Sequence, residues 1–349
     1  LSDEFDVTAG LRFYNFTEDK EQIFDGIFAH DNTGTQLVSQ PGETDANGVA
    51  PRFIIRYKAS QNVSLNAQAS RGFRLGGIND PLNIPLCTPA DLQTFGNNET
   101  WGDETAWNYE VGAKTRVMDG RGAFNVALFD IEVSDLQATV TAGSCSSRVI
   151  FNVPKARSRG LEVEFSGAPT DNFDFSISGS FNNSELRSSL TSTDAGGNTS
   201  IVSGIEEGNR LPTVPEVQFA AVATYQWELN SSSRAYVTGS YQHIGSRFTQ
   251  VGDQAEGFGV VNLLSFAPNT IGGPLTAAAF RFDPELPAYD IVNLRVGLLK
   301  DQWDVALFVN NLTDERALLA LDQERGTRAR VGFLTNQPRT FGLSARINF

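Results

Sequence analysis

The chain has 349 residues, and its 41 acidic against 27 basic side chains give a net charge of −14, which repels phosphate backbones and argues against nucleic acid as a partner. A 40% apolar content excludes compositional disorder, and 25 Phe and 32 Gly against a single Met favour pleated strands and turns over helices. No run of 18 apolar residues exists, so no transmembrane helix is expected.

The opening "LSDEFDVTAGLRFYNF" is acidic (Asp3, Glu4 and Asp6, then Glu18, Asp19, Glu21, Asp25 and Asp31) and reads as a solvated face. It lacks an initiator Met, a basic n-region and an apolar h-region, and it meets a strand almost at once. This start is expected to be that of a fragment, with the truncation at Leu1.

Strict alternation then recurs along the chain. "NFDFSISGSFNN" puts Phe173, Phe175, Ile177 and Phe181 on one face and Asp174, Ser176, Ser178 and Asn182 on the other. "YDIVNLRVGLL" sets Val292, Leu294, Val296 and Leu298 against Asn293, Arg295 and Gly297. A period of two means strands with one apolar and one polar face. Twelve such segments are predicted, over about 4–16, 50–58, 62–73, 104–117, 122–136, 149–167, 172–186, 215–228, 233–247, 287–299, 302–312 and 338–349. The last, "FGLSARINF", places Phe341, Leu343, Ala345, Ile347 and Phe349 on its apolar face.

The connections alternate in length. "ASQ", "MDGRG", "APTD", "LNSS" and "DQ" are tight, whereas 17–49, 74–103, 137–148, 187–214, 248–286 and 313–337 are long. Tight turns at one end and long loops at the other match an outer-membrane β-barrel. Tyr57, Tyr225, Trp227, Trp303 and Phe349 near the tight turns suit an interfacial girdle. The polar faces carry Glu110, Lys114 and Arg116, or Glu162 and Glu164, which a watery lumen accommodates and a dry core does not. The fold class expected is therefore all-β, an antiparallel transmembrane β-barrel meander of about 12 strands.

The sequence resembles the TonB-dependent outer-membrane receptors. The likeness rests on "TAGLRFYNFTEDKE", "SRGFRLGGIND" at 70–80 and "ETAWNYEVGAKTRVMDGRGAFNVALFDIEVSDLQ" at 104–137. It continues through "SRGLEVEFSGAPTDNF", "LPTVPE", "YDIVNLRVGL", "WDVALFVNNLTDE" and "PRTFGLSARINF". Aligned from the C-terminus, the twelve strands look like the last twelve of a 22-stranded barrel. Residues 1–349 then form one partial barrel domain with no plug domain and no TonB-contacting box. The resemblance implies active import, energised by TonB through the missing N-terminal region, of a scarce nutrient: a ferric siderophore, haem, cobalamin or an oligosaccharide. It also implies a Gram-negative outer membrane, lipid around the wall, long loops outside, and Phe349 as the mark read by the barrel-assembly machinery. A self-contained 12-stranded barrel enzyme (protease or phospholipase) and a passive porin-like channel are the alternatives. The isolated segment is expected to be an incomplete barrel with its edge strands, 4–16 and 338–349, apart.

Neither catalytic residues nor a metal or cofactor site is expected. His30 and His243 are solitary, and no G-x-S-x-G elbow or CxxC spacing occurs. "RGFRLGG" leaves the wall at the outer rim, where Arg71, Phe73 and Arg74 are the candidate ligand contacts; their arginines suit an anionic ligand, or else neighbouring acids and the plug. Cys87 and Cys145 fall in consecutive outer loops, 58 positions apart, and a disulfide is expected in an oxidising compartment, with two free thiols the alternative. In loop 248–286, Val260, Val261, Leu263, Leu264 and Phe266 are expected to pack within their own loop.

Overall fold

The computed structural model describes residues 3–24, 38–145, 147–194, 196–265, 277–323 and 331–347. His30, Phe266 and Phe349 lie outside the described residues. Twelve antiparallel strands form one sheet: β1 Phe5–Phe24, β2 Val38–Lys58, β3 Val63–Arg74, β4 Glu104–Val117, β5 Gly122–Thr141 and β6 Arg148–Thr170, then β7 Phe173–Leu186, β8 Val217–Asn230, β9 Ser233–Ile244, β10 Tyr289–Lys300, β11 Trp303–Asn310 and β12 Thr340–Ile347. Each pairs with its neighbour in this order, so the sheet is the meander that the alternation predicts. β1 and β12 are its edges, and no ladder joins them among the described residues.

Register carries the two faces across the wall. One row runs Val7, Ile55, Ala67, Val111, Leu128, Leu161, Phe181 and Val217 through eight strands. Another runs Tyr225, Val237, Val296, Leu307 and Leu343 through the last five. Much of this apolar face lies open: Leu307 is 66% and Leu343 67% exposed. Such a surface is costly in water and suits lipid. Three residues along the strands, and so on the opposite face, the row Ser64, Lys114, Asn125, Glu164 and Ser178 is polar throughout. On this inner face Tyr236 lies across Gly297, where an added Cβ would fall 2.3 Å from the ring, so only hydrogen fits there. At the tight-turn end Phe5 stacks on Tyr57 with centroids 4.6 Å apart, and Tyr225 on Trp227 at 6.0 Å. Among the described residues no helix is long and apolar enough to cross a membrane.

Several strands run further than the alternation predicts. β1 pairs with β2 as far as Phe24 and Val38, where 17–49 is expected to be a loop, and the β5–β6 ladder continues to Thr141 and Arg148. On β1 and β2, residues such as Asn15, Thr17, Asp19, Asp45 and Asn47 occupy rows that lower down are apolar. Where both faces meet water the period-two signal fades, although the backbone ladder persists. Above the wall, the long connections share a core of their own. Phe95, Val140, Cys145, Val149, Val153, Leu186, Val202, Ile205 and Val251, drawn from four connections and the strand ends they join, are buried together.

Candidate functional site: the loop cap and the inner wall

The inner face offers a continuous hydrogen-bonding surface. Glu110 accepts from Gln68 Nε2 at 2.9 Å and from Asn66 Nδ2 at 3.4 Å. Further round, Arg295 donates to the Tyr236 hydroxyl (2.8 Å) and to Ser344 Oγ (2.7 Å), and Tyr236 donates to Asp304 (2.9 Å). Charged groups so placed are satisfied by their neighbours on the wall.

The cap closes the end of the sheet opposite the tight turns. Its short helix α1, Pro89–Phe95, starts at Thr88, whose hydroxyl accepts from the Asp91 amide, and it buries Phe95 edge-on against Phe151. Cys87 and Cys145 are joined here, their Cα atoms 4.2 Å apart. Beside them, Asp91 accepts from the Ser144 hydroxyl (2.6 Å) and amide (3.0 Å) and from the Thr88 hydroxyl (2.8 Å). Burial alone would raise the Asp91 carboxyl, but these donors outweigh it and hold the group below the usual carboxylate range. Asn79 ties the 75–103 connection to β6, donating to the Ile150 carbonyl (3.0 Å) and accepting from its amide (2.8 Å).

Arg71, Phe73 and Arg74 do not converge. Register puts Arg71 opposite Trp107 and Phe73 opposite Thr105, on the same face as Ala69 and Tyr109, whereas Arg74 lies on the inner face opposite Glu104. The β2–β3 ladder ends at Arg52 and Ser70; beyond it the β1–β2 hairpin laps over Phe73, with Tyr14 stacked at 3.7 Å and Arg12 5.1 Å above the ring. Arg71 donates to the Val49 carbonyl at 3.4 Å, and its Nε has no partner. Arg74 is held by Glu104 (2.5 Å) and the Gln137 carbonyl (3.1 Å).

The residue that ties two long connections together carries no recognisable motif. Arg210 donates to Glu285 Oε1 (3.2 Å) and to the Ser246 carbonyl (2.5 Å), and its backbone exchanges two 2.9 Å bonds with the Gln254 side chain. No local pattern marks it, because its hydrogen-bonding side-chain partners lie 36 to 75 residues away, with only a 3.9 Å ion pair to Glu216 closer in sequence. Nearby is a 310 Å³ cavity lined by Thr139, Arg148, Ser203, Gln250, Asp253 and Phe258, among others. Asp253 is 3% exposed, caps the 251–254 turn through the Gln250 amide (2.8 Å), and is pushed up to about 6 by burial. In the expected apolar cluster of 248–286, Val261 is buried while Leu264 is 67% exposed.

His243 bonds Asp290 at 2.8 Å, and Tyr241 donates to the same oxygen at 2.6 Å. Register places all three on the apolar face, with Phe219 and Val292. Glu162 and Glu164 point inward, and Asn125 donates to Glu164 at 3.2 Å. Among the described residues no group of three or more His, Cys, Asp or Glu could hold a metal ion.

A family model described as TonB dependent receptor-like, beta-barrel, matches residues 1–312. The metal-pseudopaline receptor CntO of Pseudomonas aeruginosa (strain UCBPP-PA14) is 23% identical over 344 residues, covering 97% of this chain and 38% of that protein. The ferric yersiniabactin uptake receptor FyuA from Yersinia pestis superposes with a TM-score of 0.71 at 16% identity, over 100% of this chain and 44% of that one. The siderophore receptor PiuA from Acinetobacter baumannii gives 0.65 at 16% identity, over 99% and 40%. The chain thus spans about two fifths of the length of these relatives.

Proposed function

The chain belongs to the TonB-dependent receptor-like β-barrel family, and from that premise we propose that it supplies wall and outer cap to an importer of a scarce metal chelate of the siderophore class. The observation that carries this reading is the family match over residues 1–312, on a sheet apolar on one face and hydrogen-bonding on the other. The similar proteins are receptors for metal-pseudopaline, ferric yersiniabactin and a siderophore, which favours a metal chelate over haem, cobalamin or an oligosaccharide.

In this reading residues 1–349 are one partial barrel domain in a Gram-negative outer membrane, and the long loops lie outside. The free edges at β1 and β12 take further wall strands. A plug domain, pulled by TonB, opens the path along the Glu110, Glu164 and Arg295 face. The Phe349 end serves the assembly machinery. The cap's four connections move together, because they share one buried core and are linked in pairs by the disulfide and by the Arg210 bonds.

Growth of a deletion strain on single metal chelates as the only metal source tests the reading. It predicts lost growth on one chelate, restored by the gene. Unimpaired growth on every chelate, with growth lost on a single sugar, contradicts the metal assignment.

A further inference from the structure

The 310 Å³ cavity of the cap is walled by four separate parts of the chain. Thr139 and Arg148 come from the end of the β5–β6 ladder, Ser203 from the connection before β8, Asp253 and Phe258 from the one before β10, and Leu321 from the one before β12. Its volume is roughly that of ten waters and lies at the small end of ligand cavities, which suits a molecule much smaller than a metal chelate.

The lining carries opposite charges at different depths. Asp253 is buried. The Gln250 amide (2.8 Å) and the Thr249 amide donate to its carboxylate, which leaves part of its acceptor capacity open. No cation acts on it among the described residues, and burial is the dominant influence on the group. Arg148 is exposed. It lies opposite Thr141 in the ladder and makes no hydrogen bond or ion pair among the described residues. The two charged groups thus line one small cavity without pairing with each other. A molecule with an ammonium and a carboxylate a few atoms apart satisfies both. A singly charged one leaves the other group unmatched, and for a buried carboxylate that is costly. Hydroxyls on Thr139 and Ser203 and the apolar Phe258 and Leu321 complete a lining that admits a short side chain of either kind.

We propose that this cavity binds a small zwitterion of the α-amino-acid class, with its ammonium on Asp253 and its carboxylate on Arg148. The site goes beyond the importer reading and does not depend on which cargo is carried. An occupant touches all four parts of the cap at once, so binding fastens the cap, as any ligand stabilises the state that holds it.

The test is equilibrium dialysis of the full-length protein in detergent against radiolabelled glycine, L-alanine, L-serine and L-threonine. Each is set in competition with the amine and the acid that keep only one of its charges, ethanolamine and 3-hydroxypropionate in the case of serine. At least one of the four is expected to bind saturably, one per chain, with its singly charged halves at least about tenfold weaker. Arg148→Gln and Asp253→Asn are each expected to weaken binding about tenfold or more, the scale of one charge-assisted hydrogen bond. Asp253→Asn also alters the turn that Asp253 caps, so Arg148→Gln, at an exposed position, keeps the test decisive. Hydrogen exchange is expected to slow on binding in peptides from 136–153, 199–207, 249–259 and 317–323, and to stay unchanged in β8 to β11. No saturable binding of any of the four, a singly charged half that binds as tightly as its amino acid, or unweakened binding by Arg148→Gln overturns the site.

Discussion

Removing the Cys87–Cys145 bond is expected to loosen the cap and leave the wall intact. Cys145 is wholly buried in the cap core, and Cys87 packs against it from the α1 side. The bond closes 58 residues of chain, for which the loop-entropy relation gives about 4 kcal/mol. That figure applies only if the whole enclosed chain unfolds. Here the enclosed β4 and β5 stay in the sheet, so the enclosed segments freed are 88–103 and 142–144. A stretch of about 19 residues corresponds to ~3 kcal/mol. Cap opening is a local event of this kind, so the smaller figure applies. Cys87→Ala with Cys145→Ala should therefore raise the open fraction of the cap by about a hundredfold. Hydrogen exchange of peptides from 79–103 and 136–153 reads this directly, with peptides from β8 to β11 as the control. Unchanged protection in the cap, or alkylation of both thiols in the untreated protein, would refute the reasoning.

Three further perturbations act on separate parts of the molecule. The Asp253 carboxyl is raised in the folded cap to about 6 from an ordinary 3.8, so it favours the folded cap when protonated. That contribution is full below about 3.8 and is lost as pH rises through about 6, by up to ~3 kcal/mol. Asp253→Asn is expected to remove this pH dependence and tighten the cap at pH 8, measured by exchange at pH 5 and pH 8; a pH dependence that persists in the variant counts against it. Arg210→Met leaves the Ser246 carbonyl without this donor and Glu285 without its cation, the Ser246 hydroxyl alone still donating to that carboxylate, and should weaken the cap by roughly 2–3 kcal/mol, seen as faster protease cleavage within 187–216 and 245–288. Gly297→Val drives a side chain into the Tyr236 ring and should cost about 1–3 kcal/mol of wall stability, read as a lower temperature for loss of the compact electrophoretic form.

The wall was legible in the sequence because its two faces meet different solvents. Phe173, Phe175 and Ile177 alternate with Asp174, Ser176 and Ser178, and the structure keeps that pattern in register from β7 to β8. The strand extensions were not legible, because above the lipid level Thr17 and Asp19 meet water as their inward neighbours do, and a ladder of backbone bonds leaves no mark on side-chain polarity. The cap was hidden for a different reason. Phe95, Ile205 and Val251 come from three different polar connections and Val153 from the end of β6, and only the fold assembles them. Arg71, Phe73 and Arg74 are adjacent in a conspicuous motif, yet a period of two necessarily sends Arg71 and Arg74 to opposite faces. Arg210, in no conspicuous motif, holds two long connections together through partners at least 36 residues away.

The claim on which the account turns is that this wall belongs to an energised importer rather than a passive channel. Accumulation of a radiolabelled metal chelate by cells with and without the gene, measured before and after collapse of the proton gradient by a protonophore, tests it most directly. The account predicts gene-dependent accumulation above the external concentration that stops when the gradient collapses or TonB is deleted. Gene-dependent entry that only equilibrates, and that neither treatment affects, would contradict it.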